Sequence, residues 1–211
     1  MQHIKRIAAF GAHPDDLEIG CFGALVNFIK AGAHVDLYIA TGDLERIAEM
    51  TKACRHLGEG SYKIHELGYE NNLIPYSKKI IQDIDRRLDK NKPDLIITHW
   101  VGDNQQDHQN LAKSVISACR KRDNIWMMEP PSGRPPVKGT FRPQVYVDIS
   151  EALEKKHLAI LEHESQLGRL SMRPNFNPWM CRSRLHGVSI NTEAAEVFEI
   201  VKQTIRFKGE G

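Results

Sequence analysis

The sequence is short of several things that would each have pointed to a class of protein. It has no apolar run approaching the roughly 18 residues of a membrane span, so none is expected. It has no surplus of one charge: 29 Lys and Arg stand against 27 Asp and Glu, a net charge of +2. That balance argues against nucleic acid or an anionic membrane surface as a partner. Cysteine is sparse. Cys21, Cys54, Cys119 and Cys181 are scattered with no CxxC pair, which suits small core residues in a reducing cytoplasm better than a disulfide frame or a zinc knuckle. No GxGxxG follows the first strand-like run, which weakens a nucleotide-binding reading. The opening residues Met1 to Arg6 lead into a strand rather than the apolar centre of a signal sequence.

What is present is ordinary for a globular protein. Of 211 residues, 41% are hydrophobic and 27% charged, enough for a sizeable core in one domain spanning 1–211. The chain alternates between two periodicities. Short apolar runs at Ile7–Phe10, His34–Ala40, Lys63–Leu67 and Leu95–His99 read as strands. Between them lie helical patterns at 21–29, 46–56 and 77–90, the last with Ile80, Ile81, Ile84 and Leu88 on one face. A further helix is expected at 111–121. Strand–helix repeats with short connections predict an α/β fold, Rossmann-like, with a mostly parallel sheet flanked by helices.

Two polar clusters stand where strands end. Ile7–Phe10 runs through Gly11 into Ala12-His13-Pro14-Asp15-Asp16-Leu17-Glu18-Ile19-Gly20. Leu95–His99 runs into Trp100 to Asn110, which holds Asp107 and His108. Open α/β sheets place their sites at the carboxyl ends of strands. If the two strands lie near each other, His13, Asp16 and His108 make a divalent metal site with open positions, as catalytic zinc requires. Asp15 would stand beside it without being needed as a ligand, free to act as general base on a metal-bound water. Each piece also has a plainer reading: Asp15 and Asp16 as acids favourable to a helix dipole, Asp107-His108 as a capped helix start, and His99 as a hydrogen-bonded core histidine.

These residues resemble the LmbE-like, or PIG-L, metal-dependent deacetylases. The likeness begins at Ala12-His13-Pro14-Asp15-Asp16 and continues in Thr41-Gly42, Arg46 and Glu49, and the strand Pro93 to His99. It goes on through Asp103 to His108, Phe141-Arg142-Pro143, His163-Glu164-Ser165-Gln166 and Ala195-Glu196-Val197-Phe198. The family includes the de-N-acetylase of N-acetylglucosaminyl-phosphatidylinositol and the sugar deacetylases of mycothiol and bacillithiol synthesis. The resemblance implies one zinc per chain, or another divalent metal, on His13, Asp16 and His108, with Asp15 as base. It also implies an N-acetylated amino sugar as substrate, and homo-oligomers occur in the family. One position departs from the pattern: Gln105 stands where a histidine is usual. Glutamine can donate to a developing oxyanion but cannot shuttle a proton. Asp107 is then expected to orient a metal ligand from behind.

The resulting expectation is a zinc amidohydrolase acting on an N-acetylglucosamine-type sugar or its conjugate. The alternatives are a nucleotide-linked or lipopolysaccharide sugar as substrate, or a metal-binding module that does not hydrolyse. Asp43 and Arg46 are placed to meet the substrate, against the plainer reading of a helix cap and a solvated arginine. His163, with Gln166, is expected to close the pocket. The proline-rich stretch Met127 to Pro136 and the stretch Arg169 to Arg184 read as irregular loops. The arginines of the second are candidates for a phosphate, a carboxylate or a subunit contact. A strand at 141–149, a helix at 151–167 capped by Ser150 and a final helix at 193–207 complete the reading.

Overall fold

Ile7-Ala8-Ala9-Phe10 buries both of its faces, which is why it shows no polar alternation. It lies in β1 (Arg6–Gly11), at the centre of a seven-stranded sheet. In the computed structural model, which describes residues 4–58, 61–70, 73–131, 139–168 and 177–205, Ile7 and Ala9 join one apolar cluster and Ala8 and Phe10 another. The first cluster lies under α2 (Phe22–Lys30), α3 (Leu44–Cys54) and α6 (Leu153–Leu161), through residues such as Leu25, Met50 and Ala159. The second lies under α4 (Lys78–Asn91) and α5 (Gln106–Ala118), where Ile80, Ile84 and Leu88 meet Leu111 and Val115.

The remaining elements are α1 (Asp16–Gly20), β2 (His34–Ile39), β3 (Tyr62–Glu66), β4 (Leu95–Thr98), β5 (Ile125–Met128), β6 (Val145–Asp148), α7 (Pro178–Val188) and β7 (Ala195–Lys202). The sheet order is β3-β2-β1-β4-β5-β7-β6. β1 to β5 are mutually parallel, and β7 runs antiparallel to both β5 and β6. The chain builds outward from β1 in one direction and from β4 in the other, so the reversal of strand order falls between them. This is the mostly parallel, helix-flanked sheet that the sequence predicts.

Several local expectations need correction. Where a helix is expected over 193–207, Ala195–Lys202 form a strand, β7, and residues 206 and 207 lie outside the described residues. Val197, Phe198, Ile200 and Val201 are β-branched or aromatic, types that pack well on a pleated surface. Met127 and Met128 belong to the buried strand β5 and not to a loop; the loop begins at the prolines behind them, and residues 132–138 lie outside the described residues. The helix expected from 151 to 167 is broken into a 3-10 turn at Ser150–Ala152, α6, and a second 3-10 turn at Glu164–Gln166. In the stretch from Arg169, residues 169–176 lie outside the described residues. Pro178, read as a sign of irregular chain, opens α7 at its first turn, where proline loses nothing. Asn177 caps that helix, accepting from the N–H groups of Trp179 at 3.0 Å and Met180 at 3.2 Å. Two helices also begin earlier than expected. α1 starts at Asp16, with a break at Cys21 before α2, and α5 starts at Gln106, so that Asp107 and His108 sit in its first turn.

Candidate metal centre and active site

β1 and β4 are hydrogen-bonded neighbours, so the segments leaving their carboxyl ends meet. The first segment is held tightly. Ala12 N–H donates to His99 Nε2 at 3.0 Å, and Thr41 donates to Ala12 O through both its N–H and its hydroxyl, each at 2.9 Å. His13 N–H donates to Asp16 Oδ2 at 2.7 Å, which folds the carboxylate back over the loop. Asp15 lies between them at φ 108° and ψ −27°, a left-handed conformation that costs a non-glycine residue about 1–3 kcal/mol. Arg46 braces it: Nη2 donates to Pro14 O at 2.5 Å and pairs with Asp15 Oδ1 at 3.1 Å.

His13, Asp16 and His108 offer ligand atoms that lie within 4.8 Å of one another, and all three residues are buried. Asp103 Oδ2 is 2.9 Å from His108 Nδ1, so Nδ1–H donates to it and Nε2 faces inward. That Nε2 has no hydrogen-bond partner and stands 3.3 Å from Asp16 Oδ1. A wholly buried imidazole nitrogen that faces a carboxylate without a formed hydrogen bond fits a shared cation. Burial works against charge on His108, but Asp16 and Asp103 outweigh it and push the ring up to about 10. Burial would likewise raise Asp16, yet His108 and His99 hold it well below the usual carboxylate range. The donors present fit a divalent metal.

Asp15 is set apart from this group by its electrostatics. Its burial and the neighbouring Asp16 charge push its carboxyl up to about 7, with Arg46 and His163 opposing them. A carboxyl poised near neutrality can take up and return a proton.

The other residues singled out from the sequence fall as follows. Asp107 accepts from Ile74 N–H at 3.1 Å through Oδ1, and its Oδ2 lies 3.3 Å from His13 Nε2. Gln105 is exposed, one residue before α5, and its backbone N–H donates to Asp103 Oδ1 at 3.0 Å. Asp43 is exposed and caps α3, accepting from Arg46 N–H at 2.9 Å. Asp43 thus makes the helix cap of the plainer reading, whereas Arg46 pairs with Asp15 rather than standing in open solvent. His163 is 0% exposed, and its Nε2 stands 3.6 Å from Glu18 Oε1. It is close enough to Asp15 for its charge to act on that carboxyl. Arg182 and Arg184 pair with Glu129 and Glu193, while Arg169 and Arg173 lie outside the described residues.

Two supporting residues escaped sequence reasoning. The second motif includes Asp103 without giving it a role, although its place five residues before His108 is a usable signal. His99 reads from the sequence as a hydrogen-bonded core histidine. It is buried and stacks on His108 with ring centroids 3.9 Å apart, and burial together with His108 lowers its pKa. A neutral ring is what accepts the Ala12 N–H. With Asp103 and His108, His99 forms a second close donor group; its Nε2 accepts from Ala12 N–H and Asp103 pairs with His108 Nδ1, while His99 Nδ1 is buried without a hydrogen-bond partner.

The likeness to known proteins follows the same residues. The model of the PIG-L family, GlcNAc-PI de-N-acetylase, matches residues 8–119, more than half of the chain and every residue of the donor set. The diacetylchitobiose deacetylase of Thermococcus kodakarensis is 26% identical over 192 residues, covering 77% of this chain and 70% of that one. Among solved structures, the N,N'-diacetylchitobiose deacetylase from Pyrococcus horikoshii superimposes with a TM-score of 0.79 at 21% identity, over 94% of this chain and 84% of that one. The 4-carboxy-2-hydroxymuconate hydratase from Pseudomonas putida KT2440 does so with a TM-score of 0.78 at 15% identity, over 98% and 100%. The last two show the fold alone. The matched segment runs from the middle of β1 to the end of α5 and so contains both loops that build the candidate metal centre: this chain belongs to the PIG-L de-N-acetylase family.

Proposed function

We propose that the protein is a zinc-dependent de-N-acetylase that removes the acetyl group of an N-acetylated amino sugar, with residues 1–211 acting as one domain. The observation that carries this is the convergence of His13, Asp16 and His108 on one buried point with the unligated Asp15 beside them. Family membership supports the reaction, and the diacetylchitobiose relatives support an N-acetylglucosamine unit as the group recognised.

His13, Asp16 and His108 would hold a divalent cation, which would supply a Lewis acid for the amide carbonyl and a water of lowered pKa. Asp15 accepts the proton of the attacking water and returns it to the departing nitrogen. Arg46 keeps the Asp15 carboxylate aimed. Asp103 fixes the tautomer of His108, and Asp107 steadies the ring of His13 from its far side. Gln105, exposed at the start of α5, offers an amide donor to the substrate oxygen where the family usually places an imidazole. Return of the proton therefore rests on Asp15.

The test pairs metal analysis with product analysis. Protein purified without chelators should carry about one zinc per chain and release acetate and free amine in equal amounts from N-acetylglucosamine or its β-linked oligomers. Bound zinc without acetate from any N-acetylated sugar would favour a binding module, the reading that Gln105 in place of histidine supports. Absence of metal would overturn the site itself.

A further inference from the structure

The geometry points to Lys156 and Glu196 as positioning residues that clamp the junction between α1 and α2, and through it set the place of Asp16. This inference rests on the metal centre proposed above. It concerns residues that lie outside the matched segment 8–119.

α1 is only five residues long and carries Asp16 as its first residue. A single turn of helix has no stability of its own, so its direction is set by what holds its two ends. The front end is held by the bond from His13 N–H to Asp16 Oδ2. At the rear the chain kinks at Cys21, with φ −150° and ψ 9°, and α2 starts there without a local side-chain cap. Orphan backbone groups thus face each other on the two sides of the kink. Glu196 of β7 meets those of α2: Oε1 accepts from Gly23 N–H at 3.0 Å and Oε2 from Ala24 N–H at 2.7 Å. Lys156 of α6 meets α1: its ammonium donates to Ile19 O at 2.7 Å and to Glu196 Oε1 at 2.5 Å.

Each partner answers a charge as well as a hydrogen bond. The carboxylate sits on the positive end of α2 and the ammonium on the negative end of α1. Both side chains are buried, Lys156 at 1% and Glu196 at 4% exposure. Charges so buried persist only when paired and fully hydrogen-bonded. A cap of ordinary type would have come from a residue next to Cys21; this one comes from more than 170 residues away, and it ties α1 to both α6 and β7. Small shifts of α1 then move Asp16 against His108, which is fixed independently by Asp103.

Lys156→Met alone strands the Glu196 charge and can prevent folding. The deciding variant is therefore Lys156→Met with Glu196→Gln, which leaves no unpaired ion. Three quantities are measured: the thermal midpoint, amide hydrogen exchange at residues 17–24 without metal, and zinc affinity by competition with a chromophoric chelator. The expected result is a folded protein with exchange at residues 17–21 accelerated at least about tenfold and a zinc Kd raised by about 10–100-fold, the range seen when supports of metal ligands are removed. A folded double variant with unchanged exchange and unchanged Kd overturns the clamp. So does a Kd change fully accounted for by a lower fraction folded. Should the double variant not fold, the unsubstituted protein decides: zinc should slow exchange at Cys21, Gly23 and Ala24, and no change there overturns the coupling. If the unsubstituted protein binds no zinc, the proposed function fails, while the metal-free exchange at residues 17–21 in the double variant still reads the clamp.

Discussion

Asp15 carries a backbone cost and a charge cost at once. Its left-handed φ of 108° and its buried carboxyl are both unfavourable, and Arg46 offsets part of each by bonding Pro14 O and Asp15 Oδ1. Strain kept at such a position is explained by work done there. Asp15→Ala should retain zinc and lose about 10²–10⁴ in kcat, whereas His108→Ala should lose zinc and turnover together; metal analysis beside an acetate assay separates the two. An active Asp15→Ala protein would remove the base assignment. At this scale the donors His13, Asp16 and His108, and Asp15 beside them, were legible as types and spacings. The partner of Arg46 was not, because Asp15 and Arg46 are 31 residues apart and nothing local marks which charge each one faces.

Among elements, α7 and the turn that follows it pack closely backbone to backbone. A Cβ on Gly187 would come within 2.6 Å of Thr192 O and 2.7 Å of Ala194 N, both backbone atoms that cannot swing aside. Gly187→Ala should therefore destabilise the fold by about 1–3 kcal/mol in urea unfolding; a change under about 0.5 kcal/mol would mean that the turn yields. The same helix carries Arg182 and His186 against Glu129 at the end of β5, at 2.9 and 3.0 Å. Burial alone would raise the Glu129 carboxyl, but His186 and Arg182 outweigh it and hold it below its ordinary value of 4.5. A depressed folded pKa gives stability that is present above the unfolded value and is lost as pH falls through the folded one. Unfolding of Glu129→Gln should show a deficit of about 1–2 kcal/mol near neutral pH that shrinks as pH drops below 4.5. A deficit independent of pH would assign the loss to packing instead. Elements with one clear period, such as α4 with its stripe Ile80, Ile84 and Leu88, were read correctly. β7 was not, since its apolar residues satisfy both periods over a short window.

For the whole molecule, metal and stability should be linked. A cation that binds only the folded chain stabilises it by mass action, by about 2.7 kcal/mol at a free concentration 100 times Kd. Chelator should lower the thermal midpoint by several degrees and added zinc should restore it; a midpoint indifferent to both would take the metal out of the folded state. Among the described residues no helix is long and apolar enough to cross a membrane. The superposition on a hydratase as closely as on a deacetylase shows that this sheet serves more than one chemistry. The reaction is accordingly read from the donors at the β1 and β4 ends and from the family match, with the acetate assay as arbiter.

The sequence by itself determined the alternation of strands and helices, the burial of β1 and β4 on both faces, and the chemical types offered at their ends. Those depend on periodicity and on residues within a few positions of each other, which a linear reading can see. Only the tertiary structure decided that Ala195–Lys202 form a strand, that Arg46 pairs with Asp15, that His163 is buried against Glu18, and that Lys156 and Glu196 bond to the backbone of α1 and α2. Each of these turns on the partner of a buried charge or backbone group. Such partners are chosen by three-dimensional proximity across as many as 173 positions, where no spacing rule operates.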